Sequence, residues 1–254
     1  IRQGTLEPVK INNQNKLPKW AQPGITMIDV RLQRLKTLLE NIENQLTAIK
    51  VDPMGWNTWQ NFAQDWAETC SLMAQAGLVI QPNQKTAFQN FISNVDPLFA
   101  NWLSKKYTAL GVQRLPVPHH VHHIPHYLAY LHNLGNLSKA VLLVIDCLSL
   151  ADWQVISPVW TKRHAEWKIK TETLLAQIPT ITSISRYALI SGLRPADFAG
   201  EIDHNIPESR AWELFWSREG FNENMCKLLP LYYDRQIDQQ PELQDPRVSF
   251  WCLI

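Results

Sequence analysis

Asp146 directly follows the apolar run "AVLLVI", and a second group of reactive side chains gathers further on in "IPTITSISRYALISGLRP", residues 178–195. A carboxylate that closes a buried strand lies at the carboxyl edge of its sheet, where open α/β sheets bind ligands. Such an aspartate either caps the next helix or serves as a functional carboxylate, and its position alone leaves both open. In the second stretch Pro179 stops an apolar segment, and the hydroxyls of Thr180, Thr182, Ser183 and Ser185 collect where a helix begins. Helix N-termini carry unpaired N–H groups and about half a positive charge, which suits them to phosphate. An alcohol there is a poor nucleophile until a base or metal ion lowers its pKa. A divalent cation held by Asp146 would do that and would also polarise a phosphoryl oxygen. Capping needs one hydroxyl, and this stretch offers more.

Two further clusters have ligand-type residues. "HHVHHIPH" places His119, His120, His122, His123 and His126 close together, a composition that suits zinc or nickel, with His122 and His126 on one face if helical. Pro116, Pro118 and Pro125 interrupt the local geometry, and no cysteine or carboxylate is adjacent. Hydrogen-bonded structural histidines are therefore the favoured reading. "EIDHN" offers Asp203 and His204 as an adjacent pair, but no strand leads into it and Pro207–Glu208 reads as a helix start, so an exposed loop is expected. Asp152 and Glu208 read as charges at helix N-termini.

These groups need elements to hold them. Ile28, Leu32, Leu35, Leu38, Leu39, Ile42, Leu46 and Ile49 recur at spacings of three and four, predicting an amphipathic helix started by Thr26 with Asp29 and ended by Asp52–Pro53 and Gly55. Trp56, Trp59, Phe62, Trp66, Cys70 and Met73 predict a second helix. A third carries Phe88, Phe91, Ile92, Val95, Leu98, Phe99 and Trp102, with a break at Asp96–Pro97. Aromatics on helical faces read as interhelical core rather than a base-stacking platform. After residue 138 the pattern changes. "KAVLLVIDCL" reads as a strand buried on both faces, "LADWQVISPVW" as helix, "TETLLAQIP" as strand, "SISRYALISG" and "SRAWELFWSREG" as helices, and "KLLPLYY" and "VSFWCLI" as strands.

Composition bounds the rest. In 254 residues, 24 Lys and Arg face 23 Asp and Glu, a net +1 that supplies no overall basic field for nucleic acid. Cys70, Cys147, Cys226 and Cys252 are scattered, as reduced thiols of a cytoplasmic protein are, and no run is long and apolar enough to cross a membrane. The chain opens on Ile1 and closes on the strand-like "VSFWCLI", so it reads as an internal piece of a longer protein.

"AVLLVIDCLSLADW", "IPTITSISRYALISGLRP" and "SRAWELFW" together resemble the PglZ proteins of bacterial phage-defence (BREX) systems, most closely their type III branch, whose core belongs to the alkaline phosphatase superfamily. The resemblance spans residues 139–254, with "VHHIPHYLA" and the helical region matching more loosely, and the "PTxTSxSRxALxSG" pattern is its most specific element. It implies an α + α/β fold in which a helical domain precedes an incomplete alkaline-phosphatase-like sheet domain. Residues 1–24 would be an extended entry segment, 25–138 the helical domain with its His-rich connector, and 139–254 the N-terminal part of the core. It implies that Asp146 is a metal ligand and that Thr182 is the nucleophile and touches a metal. Arg186 and Thr180 match the pattern as phosphate-contacting positions, Arg186 either pairing with phosphate or bracing the loop. Cys147 departs from it, since glycine commonly follows the strand aspartate in relatives.

The activity implied is that of a metal-dependent phosphodiesterase or phosphatase, or a nuclease, using divalent ions such as zinc. Thr182 would attack the phosphate ester in line, and water would later release the phospho-threonine. Relatives complete a two-metal site with further Asp and His ligands after the last strand found here, so this piece is expected to be inactive alone. Other BREX proteins are the implied partners, DNA or a nucleotide the implied substrate, with no membrane. A non-catalytic scaffold or interaction module in a phage-defence complex is the alternative. Nucleic-acid binding by the helical domain is a weaker third reading.

Overall fold

The computed structural model describes residues 9–11, 18, 20–21, 25–27, 29–51, 55–75, 79–113, 118–202, 207–231 and 240–254. Among them the chain is mostly helical with a small parallel sheet. Eight helices, α1 (Val30–Val51), α2 (Trp56–Ala74), α3 (Pro82–Gly111), α4 (His123–Asn133), α5 (Leu150–Arg163), α6 (Thr182–Ser191), α7 (Pro195–Ile202) and α8 (Glu208–Arg218), accompany five short strands. The strands are β1 (Val9–Ile11), β2 (Ile25–Met27), β3 (Ala140–Leu143), β4 (Cys226–Leu229) and β5 (Phe250–Leu253). The chain forms two compact units, residues 1–104 with 149–173, and residues 105–148 with 174–254. No helix among the described residues is long and apolar enough to cross a membrane.

In the first unit, Leu35, Leu38, Leu39, Ile42, Leu46 and Ile49 of α1 are buried, the stripe its three-and-four spacing predicts. Thr26 lies in β2, which pairs in parallel with β1, so it does not start the helix. Asp29 does: its Oδ1 accepts from the Arg31 N–H at 3.0 Å and its carbonyl from the Gln33 N–H at 3.2 Å. Ile28, Asp52 and Pro53 lie outside the described residues, as does most of the segment 1–24. Helix α3 does not break at Pro97 but runs through it. Proline removes one hydrogen bond and crowds the preceding turn, yet aromatics on both sides of it are pinned. Phe88 stacks on Trp66 with ring centroids 5.1 Å apart, and Phe99 meets the edge of Trp59 at 4.9 Å. The helical aromatics are thus interhelical core. Helix α5 begins on a capping box in which Ser149 and Asp152 satisfy each other's N–H groups.

The second unit holds a three-stranded parallel sheet in the order β3-β5-β4, with Phe250 level with both Ala140 and Cys226. On one face Phe250 and Cys252 pack with Ala188 and Ile190 of α6, Phe198 of α7, and Trp212 and Trp216 of α8. Trp216 stacks on Phe250 with centroids 4.0 Å apart. The opposite face is partly covered, where Trp251 and Leu253 meet Val248 and Leu243.

Two expectations are corrected here. "AVLLVI" is not buried on both faces: Val141, Leu143 and Ile145 are 61%, 46% and 47% exposed, while the alternate residues Ala140, Leu142 and Val144 pack against the core. "TETLLAQIP" is not a strand of the sheet. It makes one isolated parallel bridge, Leu175 to His120, and two of its backbone groups go to side chains instead. The Gln60 amide donates to the Thr173 carbonyl at 3.0 Å, while Tyr107 Oη receives the Ile178 N–H at 3.0 Å. These partners replace a ladder.

Candidate functional site

Asp146 stands in the turn just beyond β3. The ladder continues one residue past the strand, where the Val144 N–H donates to the Leu253 carbonyl at 2.8 Å, and the chain then swings away. Asp146 does not cap α5, since Ser149 does. Its Oδ1 accepts from the Cys147 N–H at 3.0 Å, and the side chain is 49% exposed. Cys147 adopts φ 60°, the left-handed region where a side chain is strained and glycine is at ease. That is the physical reason a glycine suits the position after this aspartate.

Thr182 is the first residue of α6 and is exposed, as are Thr180 and Ser183. None of the hydroxyls caps the helix; Ile181 occupies the N-cap with no side-chain bond to the first turn. The approach to this helix is held from below. Gln177 is buried, its Oε1 accepts from Tyr107 O–H at 3.1 Å, and Tyr107 Oη in turn accepts from the Ile178 N–H. The helix closes on Gly192 at φ 68°, where an added Cβ would lie 2.8 Å from both His126 Nε2 and Phe215. Glycine is required there by backbone and by space.

Arg186 lies one turn after Thr182 on the same face of α6. Its Nε donates to Glu208 Oε1 of α8 at 2.5 Å, and its Nη1 stands 4.0 Å from Asp146 Oδ2. One guanidinium thus stands between the strand tip and the start of α8. Among the described residues no hydrogen bond joins Thr182 to Asp146 directly. Glu208 has the helix-start position that its sequence suggests, but its pairing with Arg186 had no sequence signal, because the two meet only through packing. Cys252 lies in the field of this pair. Burial drives its thiol up to about 12, the Glu208 carboxylate adds to the rise, and Arg186 opposes it, so the thiol is not a nucleophile at neutral pH.

His119, His120, His122 and His123 are buried, His126 is partly exposed, and the run is largely bonded. His122 Nε2 faces the Gly111 carbonyl at 3.3 Å and its Nδ1 accepts from the Gln177 amide at 2.8 Å. His123 Nδ1 accepts from the His119 N–H at 3.1 Å, with Nε2 on the same Gly111 carbonyl at 3.1 Å. His126 Nε2 bonds the Gly192 carbonyl at 2.9 Å and closes α6. Pro125 sits inside the first turn of α4 without interrupting it. His120 differs: both its ring nitrogens are buried without a partner. Asp203 and His204 lie outside the described residues.

Among the described residues no group of three or more His, Cys, Asp or Glu is arranged to hold a metal ion. Asp146 and Thr182 are hard oxygen donors suited to a divalent cation, but a carboxylate and an alcohol are fewer than the three protein ligands per ion that such centres use. Compared with known proteins, the chain matches no protein-family model and no curated protein.

Proposed function

We propose that this chain is part of a PglZ-type metal-dependent phosphodiesterase or phosphatase acting in defence against phage, with residues 139–254 forming the first portion of an alkaline-phosphatase-like core. The observation that carries the proposal is the reach of Arg186, one turn after Thr182, to within 4.0 Å of Asp146. It brings the nucleophile-bearing face of α6 toward the strand-tip carboxylate. Asp146 and Thr182 are both relieved of the capping duties that would otherwise explain them. Divalent ions would supply the Lewis acid and activate the alcohol. The described residues supply only part of such a centre, and in this reading turnover needs the further Asp and His ligands that the resemblance implies.

The residues present have definite tasks in this reading. The open N–H groups of the first turn of α6 orient a phosphate oxygen. Arg186 neutralises charge beside it while Glu208 fixes the guanidinium plane. Thr182 presents its hydroxyl to the phosphorus from the first helical position. The test is metal content and phosphodiesterase turnover of the longer parent protein, with Asp146→Ala and Thr182→Ala compared to wild type. Both sites are exposed, so melting temperature should hold while turnover falls at least a hundredfold. Unchanged turnover in either variant removes that residue from the site.

A scaffold reading is favoured by one observation, the exposed apolar residues Val141 and Leu143 on the outer face of β3 with Ile145 just beyond it. Exposed apolar rows of this kind commonly mark interaction surfaces. If that reading is right, both alanine variants retain every activity of the defence complex, while charges placed on this row abolish its assembly.

A further inference from the structure

The whole chain carries a net +1, but its charge is unevenly spread. Residues 160–170, "WTKRHAEWKIK", hold Lys162, Arg163, Lys168 and Lys170 against the single carboxylate Glu166. The segment covers the last turn of α5 and the chain just beyond it, within the first unit. Lys170 pairs with Glu172, and His164 Nδ1 stands 3.5 Å from Glu166 Oε1. Lys162, Arg163 and Lys168 are exposed and have no ion-pair partner among the described residues. Two of these cations suit the last turn of a helix, where they offset the partial negative charge of its open carbonyls. Lys168 lies beyond the helix and has no such role.

The same segment carries a row of rings. Trp153 and Trp160 meet edge to face with centroids 5.5 Å apart, and Trp160 and Trp167 do so at 6.3 Å. Trp167 then lies flat on His164, with centroids 4.1 Å apart and planes 13° from parallel. Backbone bonds fix this turn: the His164 N–H donates to the Trp160 carbonyl at 2.8 Å, and the Trp167 N–H to the His164 carbonyl at 3.0 Å. Trp153 anchors the row by donating from Nε1 to Thr171 Oγ1 at 2.9 Å. Trp153 and Trp160 are half-buried, as packing aromatics are, but Trp167 is 51% exposed. An indole held in a parallel stack with so much of its surface in water is a stacking platform whose orientation is already fixed.

We propose that residues 160–170 bind single-stranded nucleic acid, with an unpaired base stacking on Trp167 and backbone phosphates meeting Lys162, Arg163 and Lys168. Such sites combine cations that follow the backbone with rings that accept a base of any identity. A duplex presents the phosphates but keeps its base faces stacked inside, so it engages the cations and leaves the indole unused. An acidic peptide would do the same. A lipid surface needs an apolar face that sinks into the bilayer boundary. In the exposed row Asp152, Val155, Val159 and Lys162 along α5, charge closes off the two valines at both ends. The site shares no residue with the Asp146–Arg186–Glu208 group, so its failure leaves the functional proposal intact.

The test follows the fluorescence anisotropy of a labelled oligothymidylate of about 15 nucleotides as the full chain is added at several salt concentrations. Binding should reach the micromolar range at low salt. The logarithm of the association constant should fall against that of salt with a slope of about −2, as for three phosphates on a single strand. Trp167→Ala should weaken binding by about fivefold or more with the slope unchanged, and Trp167→Phe should restore most of the loss. Neither variant should alter the affinity for a duplex of equal length. Lys162→Ala with Lys168→Ala should make the slope shallower by about 1.4. Absence of oligothymidylate binding at low salt overturns the proposal, as does wild-type affinity in Trp167→Ala or an equal loss for single strand and duplex. An unchanged slope in the lysine pair does the same, whether or not Trp167→Ala folds. Vesicles of phosphatidylcholine and phosphatidylserine should not retain the chain. Retention through Trp167, tighter than that of the oligothymidylate, would assign the patch to a lipid surface and overturn the proposal.

Discussion

Arg186 Nε donates to Glu208 Oε1 across 2.5 Å, tying α6 to the first turn of α8. The two side chains are 33% and 29% exposed, so water screens the pair only in part. Exposed pairs contribute about 0.2–1 kcal/mol, and this geometry belongs at the upper end. Glu208→Ala should therefore destabilise the chain by about 1 kcal/mol, lowering the melting temperature by about 2–4 °C. A double-mutant cycle with Arg186→Ala isolates the coupling from the loss of each side chain alone. Coupling indistinguishable from zero would mean that the contact adds nothing to stability.

Cys147 is the non-glycine residue with positive φ among those described. Left-handed backbone costs a side-chain-bearing residue about 1–2 kcal/mol, while glycine returns about 0.4–1 kcal/mol of that as unfolded-state entropy. Cys147→Gly should thus stabilise the chain by roughly 0.5–1 kcal/mol, a rise of about 1–4 °C in melting temperature. Cys147→Ala keeps the strain and should leave the temperature nearly unchanged. Equal behaviour of the two variants would show that the turn is not strained at this residue.

The contrast between Leu35 and Leu175 shows what the sequence could convey. Leu35 belongs to a stripe repeated over six turns of α1, and so long a period has one solution, a helix with that side inward. Leu175 belongs to a short apolar run that is compatible with a strand, but pairing depends on a distant partner, and here the partner is a single residue, His120. Val141 reads as a both-faces-buried strand for the same reason: whether helices cover one side of a sheet or both is decided by topology, not by the strand itself. In the candidate site, Asp146, Thr182 and Arg186 were legible through local motifs. The Arg186–Glu208 pair was not, because residues from α6 and α8 meet only once the core of Trp212, Trp216 and Phe250 has formed.

The buried histidines predict an acid-sensitive fold. His119, His120, His122 and His123 are all held below the ordinary imidazole value, in each case chiefly by burial. The unfolded chain takes up protons near pH 6.5 while the folded chain resists until lower pH. Stability is therefore complete above pH 6.5 and falls as the medium is acidified, toward about 4 for His122 and about 3 for His120. Within that window each such histidine steepens the loss by up to about 1.4 kcal/mol per pH unit. Thermal denaturation from pH 7.5 to 5 should show the decline, with a shallower slope in His120→Phe. A flat profile would mean that these imidazoles protonate freely in the folded state.

The outer face of β3 gives the last prediction. Val141, Leu143 and Ile145 contribute apolar area to solvent, and the strand has a neighbour on one side only in the order β3-β5-β4. An exposed apolar edge strand is a template for association with another chain. Replacing Val141 and Ile145 by lysine removes apolar area and adds charge without touching the packed face, where Ala140, Leu142 and Val144 meet the core. Surface substitutions away from packed groups usually change stability by less than about 0.5 kcal/mol. Val141→Lys with Ile145→Lys should therefore leave the melting temperature within about 2 °C of wild type and raise the concentration at which light scattering detects association. A fall well beyond that range would show that this face is covered in the folded protein, and its role as an interaction surface would have to be abandoned.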